Sequence, residues 1–200
     1  FIYSSTGGAL YGEPETNPCT EVHPIVPISP YGVSKHQAEQ YLELYHRLYR
    51  LNYTTLRYAN VYGPRQDPHG EAGVVAIFAR AMLEGMQTQI FGDGGQERDF
   101  IYVDDVVEAN VCAITRGDGQ AINIGTGEGT SVNRIFQQLR DIIGYDGSAV
   151  YRPPRLGEVY RISLDWGKAA RELGWSPRVG LEEGLRRTVE YFRKAAKAAV

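Results

Sequence analysis

The chain begins with a short apolar stretch, Phe1-Ile2-Tyr3, that passes into a hydroxyl- and glycine-rich segment, Ser4-Ser5-Thr6-Gly7-Gly8. A helical pattern follows, and after it a second short apolar stretch, Tyr53-Thr54-Thr55-Leu56-Arg57-Tyr58. Runs this short, bounded by turn-forming residues, read as buried strands, and a helix between two of them makes a βαβ-type unit. That order restricts the chain to an α/β fold. Ligands in such folds gather at the carboxyl ends of the strands. Thr6 and the polar turn Ala59-Asn60-Val61-Tyr62-Gly63-Pro64-Arg65 are therefore where chemistry is expected.

The helix between the strands has a clear start: Ser29 caps it, Pro30 opens it, and it runs to about Arg50. Residues 13 to 30, rich in proline and polar residues, read as a loop over the site. Tyr31 and Lys35 stand four residues apart on one face of the helix's first turn. A phenol acts as a general base near neutral pH only when its pKa is held below the usual value of about 10, and a cation one turn away is the simplest device for that. The pair suggests proton transfer, with the hydroxyl of Thr6 as its partner. Farther along, Ala38, Leu42, Tyr45 and Tyr49 form one apolar face, with Tyr41, Leu44 and Leu48 beside it. One face should pack on the sheet, leaving the other to solvent or a partner helix.

The rest of the chain keeps alternating. A helix from Val74 to Glu84 stops at Gly85, the strand Gln89-Ile90-Phe91 enters the turn Gly92-Asp93-Gly94-Gly95, and Asp104 is read as the cap of a helix to Ile114. Ala121 to Gly125 reads as a strand. Ser131 caps a helix stopped by Gly144, a short helix lies near Gly167 to Leu173, and a last one runs from Leu181 to about Ala196. A net charge of -3 with interspersed signs argues against nucleic acid as a partner. No apolar stretch approaches a membrane span. Two cysteines, Cys19 and Cys112, make no disulfide framework and suit a cytoplasmic setting. His23, His36, His46 and His69 lack metal-ligand spacing and read as surface or loop residues, so no metal is expected.

Five segments together carry a resemblance: Ser5-Thr6; Tyr31-x-x-x-Lys35; Arg57-Tyr58-x-Asn60-x-Tyr62-Gly63-Pro64-Arg65; Arg98-Asp99-Phe100-Ile101-Tyr102-Val103-Asp104-Asp105; and Asn123-x-Gly125-x-Gly127. In this order, over essentially the whole chain, they resemble the nucleotide-sugar epimerases of the extended short-chain dehydrogenase/reductases. The resemblance implies the carboxyl-terminal part of a Rossmann-type doubly wound parallel sheet with an interleaved smaller α/β lobe. Residues 1–62 and 99–125 would belong to the NAD-binding domain, and 63–98 and 126–200 to a nucleotide-sugar lobe. The family's amino-terminal half, with its glycine-rich dinucleotide loop, has no counterpart in this sequence.

By the same resemblance, NAD is the cofactor and a UDP-sugar the substrate, inverted at carbon 4 through a ketone. The glucose/galactose series is favoured, with UDP-glucuronate as an alternative; an inactive nucleotide-sugar-binding fragment is an alternative of another class. Thr6, Tyr31 and Lys35 would be catalytic, and Tyr31, Lys35 and Tyr58 would meet the cofactor. Thr6, Asn60, Val75, Gln89, Ile90, Phe91, Arg98, Arg155 and Glu158 would meet the substrate, with the two arginines on its diphosphate and Glu158 on its ribose. Ile162 would set the room beside the sugar's second carbon. A homodimer through the Tyr31–Lys35 helix is also implied. Arg57, next to a buried strand, is read as structural. Gly125-x-Gly127 lacks the third glycine of a dinucleotide fingerprint. Related dehydratases carry an Asp-Glu pair directly after the active-site threonine, and here those positions are Gly7 and Gly8, which carry no proton-transferring side chain.

Overall fold

A computed structural model describes residues 1–69, 73–155 and 157–198 of the chain. Strands β1 (Ile2–Thr6) and β2 (Thr54–Tyr58) flank helix α1 (Pro30–Tyr49). They pair in parallel, Thr6 opposite Tyr58. Strand β6 (Gln120–Ile124) extends the sheet in the order β1-β2-β6. The expected βαβ unit is therefore present. Ser29 caps α1 by accepting the amide of Gly32 at 3.2 Å, with Pro30 in the first turn.

The polar turn after β2 is more ordered than the sequence suggested. Ala59 donates to the Ile124 carbonyl at 2.9 Å, the last bond to the first sheet. The next residue opens β3 (Asn60–Tyr62), which pairs in parallel with β5 (Glu97–Tyr102). One residue thus carries the chain between two sheets and leaves Asn60 at the junction. Strand β5 also pairs with β7 (Gly129–Ser131) and β9 (Arg161–Ile162), while β4 (Gln89–Phe91) pairs with β8 (Val150–Arg152).

Helices α2 (Val74–Leu83), α4 (Val132–Ile143) and α6 (Leu181–Ala198) pack on one another, α5 (Gly167–Leu173) lies against β6, and α3 (Val103–Ala113) lies against β2, β3 and β5. Two apolar clusters result. One joins Leu56, Ile101, Ile122 and Ile124 with Ile162, Leu164, Leu173 and Trp175; the other joins Val75, Phe78, Ile90, Ile135, Leu139 and Leu185. Helix α4 is capped by Ser131 and stopped at left-handed Gly144, as the sequence predicts.

Two elements depart from expectation. Asp104 is not the cap of α3: the helix already begins at Val103 with Tyr102 before it, and Asp104 and Asp105 are first-turn acids. Asp105 is buried because it accepts the amide of Val179 at 3.0 Å. Helix α1 does not bury an apolar face. Its buried residues are Gly32 and Glu39, whereas Tyr41, Leu44, Tyr45, Leu48 and Tyr49 are exposed. A carboxylate can face the sheet because Arg57 of β2 neutralises it there. Among the histidines, His46 is half-buried in α1, its Nδ1 against the Leu51 carbonyl at 2.8 Å, rather than a loop residue. Among the described residues no helix is long and apolar enough to cross a membrane.

Candidate active site

Thr6 ends β1, buried and facing a hollow of about 330 Å³ whose wall also includes Tyr31, Tyr58, Asn60 and Arg98. Tyr31 is brought there by close packing of the loop on the first turn of α1. A Cβ on Gly32 would lie 2.4 Å from the Ala9 carbonyl oxygen, so glycine lets the turn approach the loop after Thr6. Lys35 donates to the Ser4 carbonyl at 2.8 Å. Its Nζ lies 5.8 Å from the centroid of the Tyr31 ring and 5.2 Å from that of Tyr3. The Tyr58 hydroxyl donates to Asn110 Oδ1 at 3.0 Å and lies 3.2 Å from Ser4 Oγ.

This hollow opens into a second of about 480 Å³, sharing Asn60, Val74, Arg98 and Phe100 with it. The second leads to a third of about 530 Å³, the two sharing Phe91, Gln96, Arg155 and Glu158. Through these shared wall residues the three hollows adjoin one another in a trough from Thr6 to the end of β4. Midway stands Arg98, half-buried, with Nη1 donating to the carbonyls of Glu97 at 2.9 Å and Tyr160 at 3.3 Å. No carboxylate lies within 4.0 Å of it among the described residues. Burial pushes its pKa down, and the negative charges of Glu158 and Glu13 push it partly back. At the far end the Arg155 guanidinium lies 3.9 Å from the centroid of the Phe91 ring and 4.0 Å from Glu158.

The amino terminus of α2 faces the same midpoint. Gly73 caps it without a side-chain hydrogen bond, and no acid lies in its first turn. Free amides at a helix start favour anions. The sequence reading missed this, although an apolar helix start preceded by Gly73 and lacking Asp, Glu, Ser or Thr was a visible signal. It also missed Gln66, whose Nε2 donates to the Val61 carbonyl at 3.0 Å beside the first hollow.

Three expected substrate residues are placed differently from the others. Val75 and Ile90 are each 1% exposed, their side chains in the second core cluster, so only their backbone can face a ligand. Ile162 is likewise 1% exposed and packed in the first cluster. It does not line the trough, because β9 pairs with β5 and turns this side chain into the core. Gln89 is exposed on the trough wall. The Gly125-x-Gly127 loop is no phosphate cradle: the amides of Thr126 and Gly127 both donate to Asp99, at 3.0 and 3.1 Å.

Residues 1–125 match the family model described as the NAD dependent epimerase/dehydratase family. The chain belongs to that family. Among family structures it is similar to the UDP-glucose 4-epimerase of Thermotoga maritima solved with UDP-glucose, at 58% identity and a TM-score of 0.96, covering 98% of this chain and 64% of that one. It is also similar to the UDP-glucose 4-epimerase of Thermus thermophilus in complex with NAD, at 44% identity and a TM-score of 0.92, covering 97% and 64%. A Methanocaldococcus jannaschii protein provisionally named UDP-glucose 4-epimerase is 52% identical over 192 residues, covering 96% of this chain and 62% of that protein. The chain thus spans somewhat less than two thirds of the length of the relatives it matches.

Proposed function

We propose that this chain carries the proton-transfer and UDP-sugar-binding parts of an NAD-dependent 4-epimerase acting on UDP-glucose and UDP-galactose. The trough carries the reading: adjoining hollows run from Thr6 and Tyr31 past a half-buried arginine to an aromatic–arginine–carboxylate end. Its order matches that of a nucleotide sugar, with the sugar at Thr6, the diphosphate at Arg98 and the α2 amides, and the nucleoside at Phe91, Arg155 and Glu158.

Carbon 4 of a hexose has no acidic proton, so inverting it requires a planar ketone. Bound NAD supplies hydride acceptance and return. Tyr31 accepts the 4-hydroxyl proton and gives it back, and Thr6 holds that hydroxyl. Lys35 commits one donor to Ser4 and keeps two for the nicotinamide ribose. Tyr58 offers its ring, because its hydroxyl is already occupied. These residues fit the nicotinamide end of the cofactor.

Sterics oppose a dehydratase. A Cβ on Gly7 would lie 2.4 Å from Leu164 Cδ1, in a side chain that is itself fully buried, and one on Gly8 would lie 3.2 Å from Asn60 Oδ1. An acid pair after Thr6 would force Leu164 to shift and Asn60 to give way. For UDP-glucuronate, the described wall of the sugar hollow offers no cation except Arg98, which the diphosphate uses. The division into a cofactor part (1–62 and 99–125) and a sugar lobe (63–98 and 126–200) belongs to the same proposal. The two core clusters follow it only in part, because Val159, Ile162 and Leu164 join α5 in the first cluster and Tyr62, Phe100 and Tyr102 belong to the second. The exposed apolar side of α1 supports pairing with a second copy, and two free cysteines, one of them buried, support a reducing cytoplasm.

The test is a chimera that joins this chain to the part of the Thermotoga enzyme that it does not cover, assayed with UDP-galactose and UDP-glucuronate side by side. Epimerisation of UDP-galactose is expected. Tyr31→Phe should reduce it at least about tenfold while UDP binding is kept, as removal of a general base does. A Tyr31→Phe chimera that kept its rate would refute Tyr31 as the base.

A further inference from the structure

Behind the catalytic row of the sheet lies a second row that the proposed chemistry does not use. Ser5, Arg57 and Asn123 stand side by side across β1, β2 and β6, one position before Thr6, Tyr58 and Ile124. Glu39 descends onto this row from α1, one turn beyond Lys35 and two turns beyond Tyr31. Ser5 Oγ donates to Glu39 Oε1 at 2.5 Å, and Arg57 donates to the same carboxylate through Nη2 at 2.6 Å and Nε at 3.2 Å. The free Nη1 of Arg57 donates to the Tyr11 hydroxyl at 2.9 Å, which in turn donates to Asn123 Oδ1 at 2.8 Å. Asn123 donates onward to the Cys19 carbonyl at 3.0 Å. All of these side chains are buried.

A buried ion pair is a poor stability device, since apolar residues of the same volume often serve as well or better. What it provides is direction. Apolar contact is non-directional, whereas these bonds fix how α1 is rotated and how high it sits on the sheet. Glu39 is the one buried residue of α1 that has a side chain, the other being Gly32. Through Tyr11 and Cys19 the same network holds the loop between Thr6 and Tyr31.

We propose that Ser5, Glu39 and Arg57 are positioning residues for the epimerase reaction, setting the Tyr31 oxygen and the Lys35 amine against Thr6. The proposal rests on the functional reading above. A displacement near 1 Å is enough to lower turnover about a hundredfold, and the groups that hold the diphosphate and nucleoside lie on other elements.

Two variants of the chimera test it. Ser5→Ala removes one bond and leaves no unpaired charge, and the double variant Glu39→Gln/Arg57→Met removes the pair without burying a lone ion. Each is expected to stay folded, to lose about tenfold or more in kcat, and to keep KM within about twofold. In the isolated chain, amide exchange in α1 should quicken in Ser5→Ala while β2 stays protected. A folded variant with kcat within about twofold of the parent overturns the proposal. So does a loss of kcat that merely tracks the unfolded fraction and recovers on cooling. The Tyr31→Phe control separates the two readings: if it stays active the functional reading falls, and if it is silent while both positioning variants turn over normally, only the present proposal falls.

Discussion

Replacing Arg98 by Gln should weaken UDP binding and leave uridine binding unchanged. Arg98 is half-buried, with Nη1 occupied by two carbonyls and no carboxylate partner within 4.0 Å among the described residues. Burial disfavours its charge, and the charges of Glu158 and Glu13 relieve that only in part. An anion beside it would complete the compensation. A hydrogen bond to a charged group contributes about 1.5 to 3 kcal/mol. That corresponds to about 12- to 140-fold in Kd at about 1.4 kcal/mol per decade. The trough is open to water, so the lower end applies and the expected loss is about tenfold. Calorimetric titration of the chain with UDP and with uridine, at two salt concentrations, separates the diphosphate from the nucleoside. Equal losses for both ligands, or none for UDP, would refute the placement of the diphosphate at Arg98.

Two further outcomes follow from contacts elsewhere. Gly7→Asp should lower the melting temperature of the chain by several degrees, because its Cβ would enter the space of buried Leu164; with Gly8→Glu added, the chimera should gain no dehydratase activity, and a 4-keto-6-deoxy product would contradict the steric argument. Tyr45→Glu/Leu48→Glu should turn a dimeric chain monomeric in sedimentation without loss of helix content, both residues being exposed on α1; an unchanged sedimentation coefficient would remove α1 from the contact.

Helix ends were legible because single residues decide them: Ser29, followed by Pro30, and Ser131 cap with a side-chain oxygen, and Gly144 ends a helix in the left-handed conformation. The first two strands were legible because a βαβ unit is a local pattern. Strands β7, β8 and β9 were not, since two or three residues carry no periodicity and their pairing is decided by distant partners. The burial of Glu39 was not legible for the same reason: it depends on Arg57, eighteen positions away and on another element. The fold places Thr6, Tyr31, Asn60, Arg98, Phe91, Arg155 and Glu158, all expected from the sequence, on the walls of adjoining hollows. The side chains of Val75, Ile90 and Ile162 lie in the core instead, where strand or helix phase turns them inward.

The chain's own residues give the two ligands unequal holds, and this leads to a last expectation: the isolated chain should bind UDP at least tenfold more tightly than NAD. Rossmann folds hold a dinucleotide mainly by backbone amides at a glycine-rich turn and the helix start after it. The glycine loop at 125–127 cannot serve, because its amides are committed to Asp99, a carboxylate that burial pushes toward its neutral form and that these donors hold toward its charged one. On the proposed reading, what remains for NAD is Tyr31, Lys35 and the ring of Tyr58, all at the nicotinamide end. Fixing a ligand costs about 4 to 15 kcal/mol in lost freedom, and two or three hydrogen bonds contributing about 1 kcal/mol each do not offset that. On the proposed reading UDP, by contrast, would meet Arg98, the start of α2, Arg155 and Glu158, which line one hollow. Parallel titrations decide it: a dissociation constant for NAD in the micromolar range would show that the nicotinamide end alone anchors the cofactor, and the assignment of Lys35 to one ribose contact would then be too small.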